Sequence, residues 1–155
     1  MKEKVKIIEC PRDAMQSIMT FIPTKTKLKY LQSVVDVGFD IVDIGSFVSS
    51  KVIPQLSDTK EIIDSINISN SNSKLLTIVA NKKGAENASL FKKISLIGYP
   101  FSISESFQIR NTNKTINASL DELDNILTIS DKADKETVVY LSMCFGNPYG
   151  DTWNL

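Results

Sequence analysis

The sequence predicts a parallel α/β fold, and three observations carry that prediction. Five short apolar runs are rich in β-branched residues and almost unbroken by polar ones, the pattern of strands covered on both faces. Between them lie stretches whose apolar residues recur at helical spacing. Strand and helix patterns alternate along the chain, and this order joins parallel strands through right-handed crossovers.

The elements follow in order. "VKIIE" (Val5 to Glu9) is the first expected strand. Thr24 is placed to cap a helix with Leu28, Leu31, Val34 and Val35 on one stripe, and Gly38 stands where a left-handed terminating residue is wanted. "DIVDIG" (Asp40 to Gly45) is the second strand. Asp58 and Glu61 resemble a capping box that opens a helix presenting Ile62, Ile63 and Ile66. The polar stretch Ser65 to Lys74 returns this helix to "KLLTIVA" (Lys74 to Ala80), the third strand. A short helix is expected between Asn81 and Phe91, then "ISLIGYPF" (Ile94 to Phe101) as the fourth strand. A last helical stripe, Leu120, Leu123, Ile126 and Leu127, precedes "TVVYLSM" (Thr137 to Met143). About five strands and four helices make either an open doubly wound sheet or an unfinished barrel, because a complete eight-stranded barrel takes about 250 residues. Periodicity leaves both open.

Composition narrows the function classes. A chain of 155 residues with 42% hydrophobic content can bury a core as one domain. Its 18 basic residues balance its 18 acidic ones without long blocks of either sign, which argues against nucleic acid or anionic lipid as partner and for a small ligand. No segment approaches the roughly 20 apolar residues of a membrane helix, and "MKEKVKIIEC" has too short an apolar run for a signal peptide, so a cytoplasmic address is expected. Cys10 and Cys144 are the only cysteines, far apart and without metal-ligand spacing, so reduced thiols are expected. Histidine is absent altogether, and with it the commonest general base and imidazole metal ligand. Cys144 therefore reads as a small buried hydrophobe instead of a nucleophile.

Polar residues gather where the expected strands end. Arg12 and Asp13 follow the first strand, Asp43 lies in the second, Asn81 follows the third, and Ser142 ends the fifth. In parallel α/β folds this rim is where ligands bind. Taken alone, Arg12 with Asp13 reads as an ordinary structural ion pair, and Asn81 and Ser142 as strand-end capping. Asp43 is more demanding. Inside an apolar strand its carboxylate must find a cation such as Arg12 or open onto a cavity.

Five blocks carry a family resemblance. "PRDAMQ" is similar to P-R-D-G-L-Q, "DIGSFVSSKVIPQLSD" to E-A-T-S-F-V-S-P-K-x-V-P-Q-x-x-D, and "NKKGAE" to N-x-K-G-x-E. "SESFQIRNTNKTI" is similar to S-E-x-F-x-x-x-N-x-N-x-S-I, and "YLSMCFGNPYGD" to Y-V-S-x-x-x-G-x-P-Y. In this order, from Val5 to Asp151, they resemble the N-terminal half of the 3-hydroxy-3-methylglutaryl-CoA lyases. These are metal-dependent aldolase-type barrels related to isopropylmalate synthase and pyruvate carboxyltransferase.

The resemblance implies an incomplete parallel (β/α) barrel of TIM type, with residues 1–155 as the N-terminal part of one catalytic domain. It implies metal-assisted retro-Claisen cleavage of 3-hydroxy-3-methylglutaryl-CoA to acetyl-CoA and acetoacetate, a step of leucine degradation, with a divalent cation (magnesium or manganese) as cofactor. By position Asp13 is the metal ligand, Arg12 stabilises developing charge, and Asp43 stands where a family glutamate supports the arginine. Gln16, Ser46, Asn81 and Ser142 are the implied substrate-binding residues.

There are departures. Asp43 is one methylene shorter than the glutamate, Ala14 and Met15 replace Gly and Leu, Gly45 replaces Thr, and the stretch between Glu9 and Pro11 is one residue shorter. The family's His-x-His pair, a further asparagine and the loop cysteine have no counterparts here. The expectation is thus a lyase-like chain, truncated and inactive alone, whose open barrel edges favour self-association. Two rival readings are a non-catalytic half-barrel that binds an acyl-CoA or a partner chain, and a condensing enzyme of the isopropylmalate synthase type.

Overall fold

The computed structural model describes residues 5–154. The opening "MKEK" of the N-terminal stretch and Leu155 lie outside them. In chain order the elements are β1 (Ile8–Glu9), α1 (Pro11–Gln16), α2 (Thr24–Val37), β2 (Ile41–Ser46), a 3-10 turn (Pro54–Leu56), α3 (Thr59–Ser65), β3 (Lys74–Ile78), α4 (Lys82–Ser89), β4 (Ile94–Ser102), α5 (Glu105–Thr112), α6 (Ile116–Lys132) and β5 (Glu136–Ser142). The five strands form one sheet in the order β1-β2-β3-β4-β5, and every neighbouring pair is parallel. Sequential order without reversal removes the doubly wound alternative, which needs a switch point. The sheet is a curled half-barrel.

Side chains alternate across it. Val42 and Ile44 of β2 and Leu75 of β3 pack outward with Leu31, Val34 and Val35 of α2 and with Ile62, Ile63 and Ile66 at α3. Val79 and, on β4, Ile97 and Tyr99 pack with Ala85 and Ala88 of α4 and Ile126 of α6. On the concave side Ile41, Leu76, Ile78 and Leu96 form a third cluster, flanked by Ile8, Val48, Val138 and Tyr140. The curl buries that cluster within this chain, since all four of its central residues are at most 5% exposed. Gly98 keeps the concave surface close-packed. A Cβ there would stand 2.6 Å from Ile78 Cδ1 and 3.1 Å from the Tyr140 ring.

Several expectations need correction. The first strand is two residues long, and Val5 and Ile7 are exposed at 82% and 55%. β5 is half-buried instead of covered on both faces, because it has a neighbour on one side only among the described residues. Six α-helices replace the expected four, with α1 and α5 the additions. Thr24 is the first residue of α2, not its cap, and Asp58 makes no capping bond to α3 because its carboxylate accepts from Lys27 at 2.9 and 3.1 Å. Gly38 does end α2 in the left-handed conformation, with φ of 85°. On α6 the buried stripe is rotated from the expected one: Ile126 is buried and Ser119 and Ser130 share its face, while Leu120 and Leu127 are exposed. Cys144 is half-buried, its thiol donating to the Leu141 carbonyl at 3.3 Å.

Candidate active site

The rim begins with α1. Pro11 sits in its first turn, where a fixed φ and a missing N–H suit the start of a helix, and the chain turns at once instead of extending β1. That turn brings Arg12 against β2. Arg12 Nε and Nη2 both donate to Asp43 Oδ2, at 2.9 and 2.6 Å, while Nη1 donates to Asp13 Oδ1 at 2.8 Å and to Gln16 Oε1 at 3.0 Å. Gln16 Nε2 donates in turn to Asp13 Oδ1 at 2.9 Å. Four bonds leave one of the guanidinium's five N–H groups, on Nη2, for a ligand.

Burial sets the electrostatics. Asp43 is fully buried and Arg12 is 8% exposed, whereas the Asp13 side chain is 62% exposed. Desolvation pushes the Asp43 carboxyl up to about 6, against the pull of Arg12 and a weaker pull from the Gly45 amide, which falls short of a hydrogen bond. Burial opposes the charge on Arg12, but Asp43 outweighs it and holds the guanidinium above its ordinary range. Asp43 Oδ1 and the Tyr140 hydroxyl are buried with no partner. Burial, then the Asp43 charge, also raises the Tyr140 hydroxyl and the Cys10 thiol.

These groups open onto a cavity of about 440 Å³ that Arg12, Asp13, Gln16, Ser46 and Ser142 line together with Cys10, Phe107, Asn111 and Tyr140. Ser46 is committed locally, its hydroxyl donating to the Ile78 carbonyl at 3.2 Å and accepting from the Val48 amide at 3.0 Å. Of the expected site residues, Arg12, Asp13, Asp43, Gln16, Ser46 and Ser142 come together. Asn81 stands apart. Its side chain caps α4 by accepting from the Gly84 amide at 2.9 Å, and it lines a neighbouring groove of about 360 Å³ with Lys60 and Lys83. A larger cavity, about 690 Å³, lies beside the amino ends of β3, β4 and β5, among lysines and carboxylates. It is remote from the rim, so the smaller cavity is the one with convergent chemistry.

Sequence reasoning passed over Cys10, Tyr140, Phe107 and Asn111. Tyr140 was within reach, because two residues before Ser142 on one strand puts it on the same face. Among the described residues, no group of three or more Asp, Glu, Cys or His side chains lies close enough to hold a metal ion.

Fold and rim together define the class: a parallel (β/α) half-barrel with an Arg–Asp site at the carboxyl ends of its strands. No protein-family model matches the chain. It is 34% identical over 151 residues to the Bos taurus mitochondrial hydroxymethylglutaryl-CoA lyase, covering 95% of this chain and 45% of that protein. The solved structure of the Bacillus subtilis HMG-CoA lyase superposes with a TM-score of 0.90 at 32% identity, over 97% of this chain and 50% of that one. An HMG-CoA lyase from Acinetobacter baumannii, solved with coenzyme A and 3-methylmalate, gives 0.84 at 26% identity, over 96% and 48%. Curated relatives are named as mitochondrial and as cytoplasmic. In sequence and in fold the chain is a homologue of the hydroxymethylglutaryl-CoA lyases, and it spans about half the length of most of the relatives it matches.

Proposed function

We propose that this chain forms the Arg12–Asp13 side of a hydroxymethylglutaryl-CoA lyase site, which holds 3-hydroxy-3-methylglutaryl-CoA for retro-Claisen cleavage to acetyl-CoA and acetoacetate. One observation carries the reading. Arg12, held by the buried Asp43, has one N–H without a bond and lines a cavity together with Asp13, Ser46 and Ser142. An arginine fixed in this way can hold an oxygen on which negative charge develops, with little reorganisation during reaction. Asp43 keeps the guanidinium charged and aimed. Residues 1–155 are the N-terminal part of one catalytic barrel, its ligand is an acyl-CoA, and a cytoplasmic address and association through the open edge of β5 belong to the same proposal.

A divalent cation does not fit the residues present. Asp13 offers one exposed carboxylate, Asp43 is committed to Arg12, and one carboxylate falls short of the several ligands a magnesium or manganese ion takes. Among the described residues Asp13 would be the only contribution to such an ion, so the chain alone is expected to bind a thioester without cleaving it.

Calorimetric titration with 3-hydroxy-3-methylglutaryl-CoA tests the proposal. The Arg12→Lys protein, which keeps a charge but loses the planar fork, should bind about tenfold more weakly. Affinity unchanged by Arg12→Lys would count against it. Acetoacetate release by the isolated chain with added magnesium, lost in Asp13→Ala, would refute the part that makes cleavage depend on further residues.

A further inference from the structure

A second polar network lies behind the rim. Gln55, in the 3-10 turn after β2, is 3% exposed, and its side chain is fully used. Its Oε1 accepts from the Ile22 amide at 2.9 Å, and its Nε2 donates to the carbonyls of Ile18 and Thr20, each at 2.9 Å. The Gln55 carbonyl accepts from Lys27 Nζ, which is also bonded to both oxygens of Asp58 and lies 4.1 Å from the centre of the Phe21 ring. Lys27 has no exposed surface. A buried lysine with three such partners stays in place because removing any one leaves a charge or a carbonyl unpaired.

The segment gripped by Gln55, residues 18–22, continues directly from α1, and the Ile18 amide bonds back to Met15 of that helix at 3.0 Å. The turn carrying Gln55 is tied the other way to β2. The Thr59 hydroxyl donates to the Leu56 carbonyl at 2.8 Å and accepts from the Ser46 amide at 3.1 Å. That approach needs Gly45, where a Cβ would stand 2.6 Å from Thr59 Cγ2. Two parts of the cavity lining, Arg12, Asp13 and Gln16 from α1 and Ser46, Val48, Val52 and Ile53 from β2 and the loop after it, are thus both tied to Gln55.

We infer that Gln55, locked by Lys27, is a positioning residue: it holds α1 at the distance from β2 at which Arg12 meets Asp43. Its subject is the placement of Arg12, so it stands or falls independently of the thioester proposed above.

The readout is the Arg12 Nε–H resonance in nitrogen-proton correlation spectra of the whole chain, assigned by its disappearance in Arg12→Lys. In the native protein this proton is bonded to Asp43 and should be shifted and protected. Gln55→Leu should move it to the position of free arginine and lower its exchange protection at least about tenfold, the scale of losing buried hydrogen bonds. Ile126→Val, a core truncation on α6, should leave its position unchanged, which separates positioning from general loosening. Should Gln55→Leu fail to fold, exchange in the native protein decides: the Ile22 amide, bonded to Gln55, and Arg12 Nε–H should open together with equal protection. An Arg12 resonance unmoved by Gln55→Leu, or protection at Arg12 unrelated to that at Ile22, would overturn the inference.

Discussion

β2 and β5 both bring polar side chains to the same rim, yet they are built differently. β2 is buried at all six positions and has a strand on either side. Its one charged residue, Asp43, is tolerable only because Arg12 reaches it. β5 is longer, half-buried at five of its seven positions and exposed at Glu136 and Leu141, the latter 60% exposed. Tyr140 and Ser142, which carry no charge, stand there without charged partners at the cavity wall. A charged group on a buried central strand needs a dedicated partner, whereas uncharged polar groups on the edge strand stand without one.

The sharpest way to break that contrast is to remove the partner on β2. Arg12→Met leaves Asp43 as an uncompensated buried carboxylate, and urea unfolding should show a loss of about 3–5 kcal/mol. The double variant Arg12→Met/Asp43→Leu should recover most of it, as no charge is then buried. A double variant as unstable as the single one would show that the pair is not what makes β2 sensitive.

pH probes the same carboxylate. Its folded value of about 6 lies above the ordinary 3.8, so folding takes up a proton, and this contribution to stability is full below about pH 4 and lost as pH rises through 6. The decline should reach about 3 kcal/mol at most, two units at about 1.4 kcal/mol each, and should vanish in Asp43→Asn. Urea midpoints between pH 4 and 7 measure it. A midpoint that rises over this range in the native chain but not in Asp43→Asn would reverse the sign assigned here.

A smaller effect is expected on the concave face beside β5, where β3 and β5 meet over Gly98 of β4. Gly98→Ala sets a methyl against Ile78, Leu76 and the Tyr140 ring, whose tips can give way in part, so a cost of about 1–2 kcal/mol is expected. A shift in the Tyr140 ring resonances should accompany it. The smallest change belongs to the edge itself. Leu141→Lys on β5 should alter stability by no more than about 0.5 kcal/mol, because Leu141 is already mostly exposed. It should nevertheless reduce self-association seen by sedimentation, since lysine on an open edge opposes strand pairing. A native chain that remains monomeric at tens of micromolar, roughly the range where exposed edges drive association, would remove the ground for that expectation.

By itself the sequence determined the strand-forming runs, their parallel character and the need of Asp43 for either a cation or a cavity. Each of these follows from local chemistry: an unbroken apolar run with β-branched residues favours a strand, and a carboxylate inside one demands a partner or an opening; which of these Asp43 takes was decided by the fold, where Arg12 meets it. Strand-end positions put Arg12, Asp13, Asp43, Asn81 and Ser142 on one rim and the family likeness added Gln16 and Ser46; all but Asn81 come together there. Tertiary structure decided the rest. Asp58 fails to cap α3 because Lys27 engages its carboxylate, and Thr24 is not a cap because α2 already starts there, with Pro23 before it. Only the curl of the sheet brings Tyr140 and Cys10 beside Arg12, and only the meeting of two loops makes Gln55 a clasp. Periodicity reports the average surroundings of one element, but a bond between loops some 35 residues apart depends on the angle at which neighbouring elements pack, as in the Gln55 to Thr20 contact. No single segment of the chain carries that angle.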